Sequence, residues 1–247
     1  MSTSRPHQPF RCTADLVVFT IRTPDRAPGT PPPGDDPELC VLTVTRKKEP
    51  FKGWFALPGG FVRPGESLED AAERELVEET SVPAKSLPLE QVHTYSKPGR
   101  DPRGPIITTS FLAIAPDLAD ARGDSDAEFA GWLSVRQVIN DFNLAFDHRQ
   151  IVSDALAKAR DKLQYTTIAT AFCRSEFTIK ELREVYETVW DVKLDAPNFH
   201  RKVRETPNFV ERTDNEESTN GRPAALYRSG KAEVLSRPIL MPSSLRT

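Results

Sequence analysis

Apolar residues in the first half of the chain gather into short runs of strand-forming type. CTADLVVFTIR (12–22) and LCVLTVTR (39–46) read as buried strands, and the two ends of LEQVHTYSKPGRDPRGPIITTSFLAIAP (89–116) as a further pair around a turn at 97–105. Between the first two, TPDRAPGTPPPGDDPE (23–38) can neither pack nor pair well and predicts a long exposed excursion. From Ser67 the period changes. Leu68, Ala71, Ala72, Leu76 and Val77 recur at helical spacing, Ser67 fits an N-cap, and Asp70 completes a capping box with it. A short helix is predicted over 135–139 and a long one over 143–164, with Ile151, Ala155, Leu156, Ala159 and Leu163 on its packing stripe.

The last third has a different rhythm. Phe177, Ile179, Leu182, Val185, Tyr186 and Val189 mark a helix within 175–190. A turn at 191–196 leads into PNFHRKVRE (197–205), opened by Pro197, with Phe199 and Val203 on its buried side. Residues 209–210 and 224–227 then read as two strands joined by the polar loop 211–223. The pattern divides the chain into a flexible tail (1–11), an α/β domain (12–160), a smaller helical and hairpin domain (161–240) and a second tail (241–247).

Composition narrows the setting. At 247 residues, 38% hydrophobic and 28% charged, the chain can bury a core in each of two domains. A net charge of −3 supplies no global attraction to nucleic acid, although a local basic surface is compatible with it. Cys12, Cys40 and Cys173 have neither metal spacing nor an even count, so they read as free thiols of a reducing compartment. No apolar run reaches membrane-spanning length and no hydrophobic signal core opens the sequence, so a cytoplasmic protein without a membrane partner is expected.

Chemistry concentrates in LPGGFVRPGESLEDAAERELVEETSV (57–82). Gly59 and Gly60 let backbone approach a ligand closely. Glu75, Glu78 and Glu79, at i, i+3 and i+4, share one helix face, and Arg74 offsets part of their charge. The acceptors left over suit Mg or Mn, whereas the same run on its own would equally describe a solvent face. The flanks decide between these: Gly60, Glu66, Arg74, Glu75, Glu78 and Glu79 match the Nudix box, and the stretch resembles the Nudix hydrolase family. That resemblance implies a Nudix-type α/β/α sandwich with a mixed sheet, with Glu78 and Glu79 as principal metal ligands and Glu75 as ligand or base. Ser81 departs from the pattern, standing where the family has glycine at a left-handed helix end, which bears on loop closure more than on metal binding.

Two neighbouring phrases refine the resemblance. GWFALPGGFV (53–62) is similar to the ADP-ribose and regulator branch of the family. Lys47, Lys48, Phe51, Lys52, Trp54 and Phe55 lie just before the paired glycines and read as a hairpin whose rings cap the core, in a neighbourhood that often borders substrate in that family. GRDPRG (99–104) looks like the loop carried beside the phosphates by ADP-ribose hydrolases, which makes Arg100 and Arg103 ligand candidates beside Gly59 and Gly60; a solvated hairpin tip is the other reading. Asp126 and Glu128 are either additional metal carboxylates or surface acids, and His148 either a base or a structural histidine.

In the second domain, FTIKELREVYETVW (177–190) followed by NFHRKV (198–203) is similar to the winged helix-turn-helix domain of Nudix-related transcriptional regulators of NAD metabolism. Arg201, Lys202 and Arg204 face one acid, Glu205, and suit phosphates, while Asn198 or His200 suit base edges. Arg222 and Arg228 are wing candidates, or residues of a solvated hairpin. The resemblance implies a homodimeric repressor of NAD biosynthesis or salvage genes, bound to operator DNA and released by ADP-ribose or a related NAD-derived nucleotide. The alternatives are a Mg-dependent ADP-ribose pyrophosphatase yielding AMP and ribose 5-phosphate, and a purely protein-binding relative.

Overall fold

The computed structural model describes residues 9–30, 33–81, 87–116, 127–218, 223–240 and 242, with only the backbone of Ala127 and Glu128. Asp126 and Arg222 lie outside the described residues, as does the Glu128 side chain.

The centre is β1 (Arg11–Arg22), which runs antiparallel to β2 (Glu38–Arg46) and parallel to β6 (Ile106–Ile114). The mixed seven-stranded sheet has the order β3 (Phe55–Ala56), β2, β1, β6, β5 (Glu90–Tyr95); β4 (Gly59–Phe61) adds to β1 and β7 (Ala127–Ser134) to β2. Strand alternation sorts the core onto two faces. Leu16 and Val18 of β1 pack with Ala71, Ala72 and Leu76 of α1 (Leu68–Thr80). Val17 and Phe19 pack on the other side with Val135 and Val138 of α2 (Val135–Asn140) and Ile151, Val152 and Ala155 of α3 (His148–Tyr165). The result is the expected α/β/α sandwich.

Both ends of α1 follow local chemistry. Ser67 and Asp70 form the reciprocal capping box, and Ser81 closes the helix in the left-handed region at φ 59°, its N–H bonded to the Val77 carbonyl. The residue at the family's glycine position thus adopts the glycine-like conformation, at a steric cost of about 1 kcal/mol. Val77, expected on the apolar stripe, is exposed.

Three expectations need correction. The 23–38 excursion is anchored: Ala27 is buried, the Asp25 N–H donates to the Trp132 carbonyl at 2.7 Å, and the Asp25 carboxylate accepts the Trp132 N–H at 2.7 Å. Helix α3 begins at His148 rather than 143, because Asn143 and Ala145 instead exchange backbone bonds with Phe55. The helix expected within 175–190 begins at Ile179, after a Thr178–Glu181 capping box, while Phe177 pairs with Tyr227.

The smaller domain consists of a 3-10 turn (Ile168–Phe172), α4 (Ile179–Trp190), α5 (Ala196–Glu205) and the hairpin β8 (Val210–Glu217) and β9 (Ala224–Ser229). Phe177 adds a third strand segment to the hairpin through two 2.8 Å backbone bonds with Tyr227. Phe177, Leu182, Tyr186, Phe199, Val203 and Phe209 fill its core, the outline of a winged helix. The boundary expected at 160/161 falls inside α3, which packs into both domains. Among the described residues, no helix is long and apolar enough to cross a membrane.

Candidate functional site

A cavity of about 330 Å³ opens where β1, β2, β4, the 97–104 turn and the segment before α3 meet. Its floor explains the paired glycines. A Cβ on Gly59 would lie 2.5 Å from the Ala14 carbonyl, and one on Gly60 would lie 2.2 Å from the Glu75 carboxylate. The glycines border the cavity, but the close approach they permit is first of all to the protein's own strand and helix. The freed Gly59 N–H donates to the Glu79 carboxylate at 3.1 Å.

The carboxylates of α1 divide around Arg74. Its guanidinium donates to Glu66 at 2.6 and 3.0 Å, to Glu75 at 2.5 Å, to Glu78 at 3.2 Å and to the Phe61 carbonyl at 3.1 Å, tying the turn to the helix. These bonds, Arg74 first and then the Arg63 N–H, hold the Glu66 carboxyl down to about 2. Glu78 also meets Arg63 at 3.2 Å on the exposed side. Glu79 faces the cavity. Burial pushes its carboxyl up to about 8, opposed by the Gly59 bond and reinforced by the Glu75 and Asp15 charges. A desolvated carboxyl beside two others is the setting a hard cation relieves. Among the described residues no three such side chains already converge as a ligand cluster, because Arg74 holds Glu75 and Glu78. The donor chemistry therefore fits a hard divalent cation, with Arg74 competing for two of the three carboxylates.

The opposite wall is cationic and aromatic. Arg100 and Arg103 both border the cavity, but each fork is turned onto a carboxylate. Arg100 makes a bidentate pair with Asp147 at 2.8 and 2.5 Å, and Arg103 pairs with buried Asp101, reaching it at 2.6 Å. The Arg103 guanidinium also lies between two rings, 5.1 Å from the Phe61 centroid and 4.9 Å from that of Phe146. Arg11 also lies over the Phe61 ring (4.7 Å), and Arg46 meets Phe146 at 4.8 Å.

His148 is structural. Its Nδ1 accepts the Leu57 N–H at 2.9 Å, which assigns the proton of the neutral ring to Nε2, 3.9 Å from Asp15. Burial holds its pKa below the ordinary value, against the pull of Asp15 and Asp147. A buried neutral ring pinning the residue before Pro58 has little freedom to act as a base. Asp15, Arg46 and Phe146 had not been singled out from sequence, and only the strand pattern around the first two hinted that they would flank the glycines.

In the second domain, Asp195 caps α5, and Phe199 and Val203 bury its inner side. Glu187 secures the preceding turn, accepting from the Leu194 N–H at 3.0 Å and Lys193 at 3.2 Å. Asn198, His200, Arg201 and Arg204 are exposed, and Lys202 is half-buried beside the chain's later residues Ile239 and Leu240. Arg201 spans the helix surface, bonded to Asn198 at 2.9 Å and Glu205 at 3.1 Å. The hairpin strands are acidic, with Glu211, Asp214, Glu216 and Glu217 against Arg212 and Arg228. Arg228 is held by Glu211 at 2.9 Å. The basic surface is therefore α5 itself.

Comparison with known proteins yields two family matches, a NUDIX domain over residues 33–155 and an NrtR DNA-binding winged helix domain over 171–229. The chain is 31% identical to the ADPR responsive transcriptional repressor NtrR of Acinetobacter baylyi over 218 residues, 87% of this chain and 80% of that protein. It is 43% identical to an ADP-ribose pyrophosphatase of Methanocaldococcus jannaschii over 116 residues, 46% of this chain and 64% of the other. Shewanella oneidensis NrtR, in a crystal structure complexed with a 27mer DNA, matches with a TM-score of 0.71 at 27% identity, over 93% of this chain and 99% of that one.

Proposed function

Because the chain belongs to the family of NUDIX-domain repressors that carry an NrtR winged helix, we propose that it is a cytoplasmic transcriptional repressor responsive to ADP-ribose or a related NAD-derived nucleotide. The nucleotide enters the cavity between the carboxylates of α1 and the arginines opposite, and a homodimer presents two copies of α5 to operator DNA of NAD biosynthesis or salvage genes. The observation that carries this reading is the placement of α3. Its first residues, Asp147 as N-cap and His148, hold Arg100 and Leu57 at the cavity, and its last turns hold α4 of the winged helix. Ligand chemistry and the DNA-reading element are thereby built onto one helix.

Glu75, Glu78 and Glu79 would hold Mg or Mn, and the bound cation would neutralise a diphosphate beside them. On the DNA side, Arg201 and Arg204 meet phosphates, while Asn198 and His200 stand toward base edges. Titrating ADP-ribose into the protein–operator complex tests the proposal: operator affinity should fall, and affinity unchanged at saturating ADP-ribose would refute the inducer role.

A hydrolase reading is favoured by one observation, the complete retention of Gly60, Glu66, Arg74, Glu75, Glu78 and Glu79. It requires metal-dependent release of AMP and ribose 5-phosphate from ADP-ribose; no turnover at high protein concentration would remove it.

A further inference from the structure

The end of β2 leaves one polar group unfinished at the cavity. Thr45 is buried at 7% exposure and borders the cavity, and its Oγ1 has no hydrogen-bond partner among the described residues. A buried hydroxyl without a partner is costly, and its position on the wall of a ligand-sized cavity points to a partner that arrives with the ligand. The adjacent Arg46 borders the same cavity. Neighbouring strand residues ordinarily point to opposite faces, but the β2–β7 register shifts between Val44 and Arg46, and such irregularities re-aim side chains.

Among the described residues Arg46 forms no ion pair, yet it is held in place: its Nε donates to the Pro50 carbonyl at 2.9 Å and its guanidinium lies on Phe146. Burial, then the nearby Arg103 charge, lowers its pKa, while Glu79, Asp101 and Asp15 pull the other way. Arg46 and Arg103 both contact the Phe146 ring, at 4.8 and 4.9 Å. Phe146 adopts φ 53°, a left-handed conformation that is strained for an aromatic residue and that persists where packing imposes it. Two like charges gathered on one strained ring are stabilised by an anion.

We infer that Thr45 and Arg46 contact the bound nucleotide, Arg46 through a phosphoryl oxygen shared with the Arg103 side of the cavity and Thr45 Oγ1 through a neutral polar group of the same ligand. The inference rests on the nucleotide-binding reading above and adds residues to it. Thr20 supplies an internal control, because its Oγ1 is likewise buried and without a partner but does not border the cavity.

The experiment is calorimetric titration of ADP-ribose, with Mg present, into the full-length wild type and the Thr45→Val, Thr20→Val, Arg46→Gln and Arg46→Lys variants, beside thermal unfolding of each free protein. Both valine variants should unfold at higher temperature than wild type, since each removes an unpaired buried hydroxyl. Only Thr45→Val should weaken ADP-ribose, by about tenfold. Arg46→Gln should weaken it at least as much and flatten the dependence of affinity on salt; Arg46→Lys should retain the salt dependence. Wild-type affinity in Thr45→Val, or an unchanged salt dependence in Arg46→Gln, would overturn the inference while leaving nucleotide binding intact. No binding to the wild type would overturn the nucleotide reading and this inference together.

Discussion

At pH 6 the Glu79 carboxyl, pushed up to about 8 by burial and by its Glu75 and Asp15 neighbours, is expected to carry a proton that a metal ion must displace. Each pH unit below that value costs about 1.4 kcal/mol, so displacement costs roughly 2.7 kcal/mol at pH 6 and half of that at pH 7. Affinity for Mn should therefore tighten about tenfold between pH 6 and 7 and level off above 8. Titration of the metal in two buffers of different ionisation enthalpy should register close to one proton released per ion at the lower pH. Glu79→Gln should bind weakly at every pH with no such release. The sign for stability follows from the same shift: a carboxyl whose folded value lies above its unfolded one contributes fully below about 4.5, and that contribution is lost as pH rises toward 8. Added Mn should offset the loss. Metal affinity independent of pH between 6 and 7.5 would refute the assignment of Glu79 as a protonated, metal-displaceable ligand.

Arg74→Met strands Glu66, Glu75 and Glu78 at a partly buried site and should lower stability by about 3 kcal/mol in urea unfolding, with Mn recovering part of the loss by taking the freed carboxylates. His148 is held neutral by burial, so its contribution is present above the unfolded pKa of 6.5 and lost as pH falls below it, at up to about 1.4 kcal/mol per unit. Compared with the wild type across pH 5 to 7.5, roughly that slope should be missing in His148→Gln. On α5, Arg204→Ala should weaken operator and random DNA alike and reduce the salt slope by about one, whereas Lys202→Ala, half-buried beside Ile239, should change the slope less. Equal slopes for Arg204→Ala and wild type, measured by fluorescence anisotropy, would remove Arg204 from the phosphate contacts.

What was legible in the sequence is what depends on local period and end chemistry. The Ser67–Asp70 cap, the α1 face, the β1 and β2 runs and the Pro197 opening of α5 all emerge near their expected positions, because each is decided within a few residues. What escaped was long-range. Nothing local tells that Asn143 and Ala145 pair with Phe55, or that Phe177 pairs with Tyr227 and so delays the start of α4. The arginines of the 99–104 turn border the cavity, but their partners Asp147 and Asp101 were not foreseen, since one pair joins residues 47 apart and the other depends on a buried turn. Glu75, Glu78 and Glu79 share a helix, yet their surroundings differ: Arg74 holds the first two, while Glu79 is buried beside Gly59. The pattern of side chains gives the candidate ligands, and only the fold gives the order in which a cation and a guanidinium compete for them.

The C-terminal end of α3 shows why the two domains do not behave as beads on a string. The last four carbonyls of a helix lack partners within it. In α3, the Lys162 carbonyl accepts from the Thr166 N–H (2.9 Å) and the Leu163 carbonyl from the Tyr186 hydroxyl of α4 (2.8 Å). Those of Gln164 and Tyr165 accept from the Ile239 N–H at 2.9 Å and the Leu235 N–H at 2.7 Å. One turn earlier, Arg160 donates to the Val189 carbonyl at 2.8 Å and its own carbonyl accepts the Trp190 indole N–H at 3.2 Å. Helix α3 is thus fixed to α4 by reciprocal polar bonds and finished by the segment that follows the wing. At 18 residues it is about 27 Å long, and at its other end His148 borders the cavity while the N-cap Asp147 holds Arg100, which borders it too. A ligand that draws Arg100 away from Asp147 acts on the N-terminus of this rod. Displacing the rod's far end would strand buried carbonyls unless α4 moves with it, and α4 carries α5. Coupling then needs no separate pathway of side chains: a shift of α3 that costs several buried hydrogen bonds if the domains stay apart costs few if they move together.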